Sequence, residues 1–276
     1  MGYPGYGQKD WKEKFATSFE GAIPLILILV LATFVAGKFG IIDLSVIPGL
    51  GALFPSPSIK VVCVGECSAG IKAYLQSDEA RMSNIMFQGE IGQDTIYGDI
   101  LKNYDIIIIQ NEKYCDRLAR QAIRDRVKQG GKMIVIGDAC TRMHDDASVL
   151  GWGLYMQDVI PAVLGGVTAE KEVIKTQVAN GEFKILELQH PIFGGGVPGI
   201  KNFPFNAKVT KVIPGQNAKV LALVATSKES MFAILEGSAL MGKTIYFAYD
   251  PGVFGQTQGR TLFLNTIFYL KTGKAG

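Results

Sequence analysis

Cys140 is the residue best placed in this chain for nucleophilic chemistry, and His144 and His190 are its only imidazoles. An imidazole within reach of a thiol lowers the thiol's pKa and accepts its proton. Glu66, at the end of an apolar run, supplies a carboxylate able to orient such a base. Asn111 and Asp138 each follow another apolar run, and with His144 they make a set of polar groups able to hold a ligand. The same residues also have an inert reading, which we prefer. In it Cys140 is a small helix-start residue, Asp138 an N-cap, His144 a surface residue and His190 a turn residue before Pro191. His144-Asp145-Asp146 is a weak metal site, because one imidazole beside two adjacent acids is common in solvated loops.

The elements that must position these groups are clearest between Tyr104 and Arg142. Ile106 to Ile109 is a β-branched run with no polar face, the pattern of a strand covered on both sides. A helix follows, with Cys115, Leu118, Ala119, Ala122, Ile123 and Val127 on one face. Arg117, Arg120, Arg124, Asp125 and Lys128 take the other face, and Gly130-Gly131 ends it. Lys132 to Ile136 is a second apolar strand running into Gly137-Asp138-Ala139-Cys140. Such a unit makes a right-handed crossover between parallel strands, with chemistry at their carboxyl ends. The strands starting near Ile59, Asn84, Asp105 and Lys132 are therefore expected in one parallel sheet.

Of 276 residues, 48% are hydrophobic and 19% charged, and the net charge of +3 is too small and dispersed for nucleic acid. One segment accounts for much of the hydropathy. Gly21 to Gly37 is uncharged, and apolar character resumes after Lys38 through Ile42. This approaches the roughly 20 residues that cross a bilayer. The organisation expected is a tail and interfacial segment over 1–20, a transmembrane helix over 21–42 with lipid as its partner, a linker over 43–58 and a domain over 59–276. Lys9, Lys12 and Lys14 precede the apolar run, against Lys38 and Lys60 after it, which puts the large domain on the non-cytoplasmic side. The cysteines Cys63, Cys67, Cys115 and Cys140 are not spaced as a disulfide framework or a zinc site. Cys63 and Cys115 are expected as small buried hydrophobes.

Further along, Ala69 to Met82 reads as one helix, and Ala147 to Gly166 as a helix or lid carrying Trp152 and Met156. Glu172 to Val178 and Phe183 to Leu188 read as separate strands. His190-Pro191 opens a glycine-rich loop that is no phosphate loop, and no cofactor pattern occurs elsewhere. Alternating strands and a helix over about Thr257 to Leu270 close the chain. The strand-end Gly65-Glu66, YDIIIIQN, GGKMIVIGDAC, HPIFGG and GKTIYFAYDPG, in this order, resemble the class I glutamine amidotransferase-like superfamily. The trehalose-utilisation (ThuA-like) and membrane-anchored amidotransferase-like branches are the most similar. That resemblance implies a flavodoxin-like, mainly parallel sheet with helices on both faces, preceded here by the transmembrane helix.

Catalytic members of that superfamily carry a cysteine in a G-x-C-x-G elbow and a later His-Glu pair. Here Ala139 occupies the nucleophile's place, Cys140 comes one residue late, the second glycine is missing, and His190 is followed by Pro191 and Ile192. The reading favoured is a membrane-anchored, non-catalytic binding or assembly subunit with protein partners or a second copy of itself. The alternatives are a hydrolase or amidotransferase using Cys140 with His190 or His144 and Glu66, and a sugar- or small-ligand-binding domain.

Overall fold

The structure is a computed structural model that describes residues 24–35, 58–96, 99–194, 199–254 and 258–274. The chain divides into two units, Met1–Pro57 and Ser58–Gly276. In the first, helix α1 spans 24–35, and its side chains from Leu25 to Leu31 are all exposed. Thr33 satisfies its hydroxyl inside the helix, donating to the Leu29 carbonyl at 2.7 Å. Among the described residues no helix is long and apolar enough to cross a membrane. At ~1.5 Å per residue α1 rises roughly 18 Å, against ~30 Å of hydrocarbon. The rest of the expected 21–42 span, the tail over 1–20 and most of the linker lie outside the described residues.

The second unit is built on one nine-stranded sheet. Its strands are β1 (Ile59–Val64), β2 (Ile85–Ile91), β3 (Ile106–Ile109), β4 (Lys132–Ile136), β6 (Lys175–Ile185), β7 (Phe203–Thr210), β9 (Lys219–Ala225), β10 (Ser230–Ala239) and β11 (Gly242–Phe247). A separate pair joins β5 (Ala162–Leu164) to β8 (Val212–Pro214). The order in the large sheet is β2-β1-β3-β4-β11-β10-β9-β6-β7. Strands β2, β1, β3, β4 and β11 are parallel, as expected for the first four strands of the domain, and β3 lies beside β4 with Ile106 opposite Lys132. From β10 onward every pairing is antiparallel. The sheet is therefore mixed rather than mainly parallel, because hairpin turns in the second half reverse the chain where the first half uses crossovers.

Ile106 to Ile109 are all fully buried, as an uninterrupted β-branched run demands. Helices α2 (Ala69–Leu75) and α4 (Arg117–Lys128) belong to crossovers that move in opposite directions along the sheet, so the right-handed rule puts them on opposite faces. Helix α5 (Arg260–Thr272) packs with α2. The expected single helix over Ala69 to Met82 breaks instead, with α3 (Asp78–Met82) starting anew at Ser77, whose hydroxyl accepts from the Ala80 N–H at 3.2 Å. The two strands expected between Glu172 and Leu188 are one, β6, with an irregularity between Val178 and Gly181. No helix follows Cys140. Residues 141–161 fold as tight turns, with Trp152 and Met156 buried.

Candidate functional site

The elbow after β4 is where a nucleophile would sit, and two of its backbone donors are committed to other strands and loops. Gly137 adopts φ +66° and Cys140 φ +52°, the left-handed region in which a side-chain-bearing residue is uncommon. The Gly137 N–H donates to the Phe247 carbonyl at 2.8 Å, and the Cys140 N–H to the Glu112 carbonyl at 2.7 Å. Donors spent on main-chain oxygens are not available for a developing oxyanion. Ala139, in the nucleophile's position, is fully buried, and its carbonyl accepts from the Trp152 indole at 2.8 Å.

Arg120 holds this loop in place. The sequence pattern put it on the wet face of α4, yet it is fully buried. Its guanidinium donates to the carbonyls of Cys115 (3.2 Å), Gly151 (3.1 Å), Leu154 (3.3 Å), Cys140 (2.7 Å) and Arg142 (3.0 Å). Burial pulls its pKa down to about 10, with Asp145 acting the other way. The planar fork of donors suits a cluster of carbonyl dipoles as no other side chain does.

All four cysteines are paired, which corrects the expectation that they form no disulfides. Cys63 bonds Cys67 across the turn after β1, with Cα atoms 6.1 Å apart, and Cys115 bonds Cys140, with Cα atoms 4.9 Å apart. Topology brought together residues whose sequence spacing offered no pattern. The Cys140 sulfur is thus bonded rather than a free thiol. It is also fully buried.

The remaining candidates are dispersed. His190 Nε2 lies 3.2 Å from Glu236 Oε2, and Nδ1 accepts the Ile192 N–H at 3.5 Å, so both ring nitrogens are engaged. Glu236 also accepts from Tyr269 at 2.5 Å and pairs with Lys243 at 3.0 Å. Burial pushes the Glu236 carboxyl up, but donation from His190, Tyr269 and Lys243 outweighs it and holds the pKa at about 2. His190 therefore does have an acidic partner, on β10, which no local motif could have shown. Glu66 has a side chain 76% exposed, near Lys72 at 4.0 Å. His144 stacks on Tyr114, with ring centroids 4.4 Å apart.

Two candidates do meet. Asn111, after β3, and Asp138, after β4, line one cavity of about 150 Å³ together with Gln110, Lys175, Lys208, Thr210, Tyr249 and Asp250. Its floor is the carboxyl ends of β3, β4 and β11, while β6 and β7 supply the lysines and the threonine. Thr210 N–H donates to Ala248 O at 2.7 Å, which ties β7 to the segment after β11. Lys175 Nζ pairs with Asp138 Oδ1 at 2.7 Å. Gln110 is buried and accepts from Ser68 N–H at 2.8 Å, joining the turn after β1 to the cavity. Tyr249 is fully buried among Phe183, Phe205 and Phe254, and its hydroxyl has no hydrogen-bond partner among the described residues. Burial raises its pKa, helped by Tyr74 and Asp250. Lys175, Lys208 and Thr210 were legible only as alternating strand residues.

No protein-family model matches the chain, and no curated protein matches it by sequence. Solved structures do resemble it. A cytoplasmic protein from Salmonella typhimurium aligns at TM-score 0.55 with 14% identity, covering 76% of this chain and 98% of its own. A second cytoplasmic protein, from S. typhimurium LT2, gives TM-score 0.55 and 17% identity over 77% of this chain and all of its own (100%). A putative ThuA-like protein from Bacteroides uniformis gives TM-score 0.52 and 12% identity over 80% and 96%. At these identities the likeness is one of fold.

Proposed function

We propose that the chain is a membrane-anchored, non-catalytic domain of the ThuA-like and amidotransferase-like fold, acting as a binding or assembly subunit. The observation that carries this is the closed elbow: Cys140 is bonded to Cys115, its N–H is spent on Glu112, and Ala139 is buried. An acyl-transfer site needs a nucleophile, a base and oxyanion donors, whereas here the cysteine is not a free thiol, both ring nitrogens of His190 are engaged elsewhere and the Cys140 N–H is spent. The anchor reading draws support from the uncharged run from Gly21 to Gly37, part of which is the apolar, exposed α1. Two disulfides favour an oxidising compartment, and the lysine asymmetry favours the same side for the large domain. The decisive assay is ammonia release from glutamine by the full chain in nanodiscs, with and without reductant. No release above background is expected in either state. Release that disappears in Cys140→Ala would overturn the reading.

A second reading, a small-ligand site, is favoured by the polar cavity beside β4, with its Asp138–Lys175 pair and the neighbouring Lys208. Its volume suits a small polar molecule rather than the ~300 Å³ or more of drug-sized ligands. A monosaccharide or a small carboxylate should raise the full chain's melting temperature, and Lys208→Ala should abolish the shift. A shift unchanged by Lys208→Ala, or none from either class, removes this reading.

A further inference from the structure

The parallel strands β1, β2, β3, β4 and β11 all begin at one edge of the sheet, opposite the cavity. Ser58 leads into β1 there, so the domain's connection to the preceding sequence emerges from this edge. The same edge carries the β10–β11 turn, whose residues Leu240 and Met241 are 83% and 71% exposed. Leu240 adopts φ +53°. A turn with positive φ favours Asn or Gly, and water favours a polar residue, so leucine and methionine suit neither demand. The tip is also braced. A Cβ on Gly242 would lie 1.8 Å from the Val127 carbonyl oxygen, so the end of α4 sits directly beneath the turn. Met82, 77% exposed at the end of α3, precedes β2 on this edge.

Cations surround the tip. Lys132 Nζ donates to the Met241 carbonyl at 3.1 Å, and Arg126 donates to the carbonyls of Leu101 and Tyr104. Neither has a carboxylate within ion-pair distance among the described residues. Burial lowers the Lys132 pKa, and the charges of Lys243 and Arg126 lower it further, as expected of cations crowded together. Of the acids near this edge, Asp105 pairs with Lys271 at 2.7 Å and Asp99 with Lys102 at 2.7 Å, while Asp125, next to Arg126 in α4, is exposed.

We propose that this edge is a membrane-docking surface: Leu240 and Met241 enter the interfacial layer of a bilayer, and Lys132 and Arg126 engage anionic headgroups. An exposed apolar tip with two half-buried cations beside it that lack a carboxylate partner matches a lipid surface in both polarity and charge. The proposal rests on the reading of 21–42 as the anchor, which would keep the domain close to a bilayer. Docking would hold the cavity's mouth away from the lipid.

The test uses the full chain reconstituted in vesicles containing a photoactivatable phospholipid, with crosslinked peptides mapped by mass spectrometry. Vesicles of phosphatidylcholine alone are compared with vesicles containing phosphatidylglycerol. Labelling of Leu240–Met241 should exceed that of the exposed pair Leu186 and Leu188 at least fivefold, and more so with phosphatidylglycerol. The variant L240N/M241G suits the turn better than the native pair, so it keeps the fold while losing the label. Labelling no higher than at Leu186 and Leu188, or indifferent to lipid charge, overturns the proposal. So does crosslinking of the tip to a second copy of the chain. Labelling within 21–42 without labelling of the tip refutes docking and leaves the anchor standing. Labelling of the tip alone does the reverse.

Discussion

Five main-chain carbonyls receive the Arg120 guanidinium, and no carboxylate faces it at hydrogen-bond distance. Replacing it with methionine keeps the volume and strands those acceptors, several of them buried. We expect Arg120→Met to lower unfolding free energy by about 3 kcal/mol or more in a denaturant titration. Arg120→Lys should recover little, since one ammonium cannot reach carbonyls spread around a planar fork. Glu236 makes a second prediction. Its carboxyl is depressed to about 2 from an ordinary 4.5, so the folded state gains stability from the anion above the unfolded pKa. That gain, on the order of 3 kcal/mol, is lost as pH falls from about 4.5 to about 2. Glu236→Gln should flatten the acid limb of a stability-against-pH curve, and a limb as steep as wild type would refute the assignment. Neither residue's role was legible in the sequence. Arg120 sits at a helical position that amphipathic spacing assigns to solvent, and its acceptors lie on loops that spacing cannot place. The His190–Glu236 contact joins residues far apart in sequence. By contrast, Asn111 and Asp138 could be assigned to one edge, because each ends a strand whose apolar run announced it.

Elements were legible where one periodicity ran unbroken and obscure where the chain changed rule. The run Ile106–Ile109 and the Lys132–Ile136 strand are such cases, and their parallel pairing follows from the helix between them. Ala69 to Met82 keeps helical spacing across Ser77, so the break there depends on which way one hydroxyl turns. Of residues 147–166, expected as a helix or lid, 147–161 are held as turns by Arg120 and by the Trp152 bond to Ala139, and 162–164 form β5. The close approach of α4 to β11 gives a prediction at this scale. Gly242→Ala would put its Cβ 1.8 Å from Val127 O and 2.6 Å from its carbonyl carbon, both backbone atoms. Relief requires shifting the helix end or the strand, at a cost of about 2–3 kcal/mol. A thermal melt unchanged in Gly242→Ala would show that this junction yields more easily than its geometry implies.

For the whole molecule, the disulfides set how the domain responds to its surroundings. The Cys115–Cys140 bond closes a loop with a sequence separation of 25, and Cys63–Cys67 one of 4. Constraint of the unfolded chain makes the first worth about 3 kcal/mol and the second about 2 kcal/mol. Reductant should therefore lower the denaturation midpoint, and Cys115→Ala/Cys140→Ala should account for the larger part of the drop. An equal midpoint with and without reductant would mean that the bonds do not constrain the unfolded chain. The overall architecture was legible for its parallel half and not for its antiparallel half, because hairpin strands can be ordered in many ways that leave the same alternation. One feature of that order governs how the protein is made. Strand β11 is the last to be synthesised, yet it lies between β4 and β10 in the middle of the sheet. Until residue 247 has left the ribosome, the two halves are separate sheets, each with an open edge where β11 belongs. A nascent chain of this design must therefore wait with one edge each of β4 and β10 unpaired, the exposure that chaperones shield and that makes a stalled or truncated product prone to aggregate.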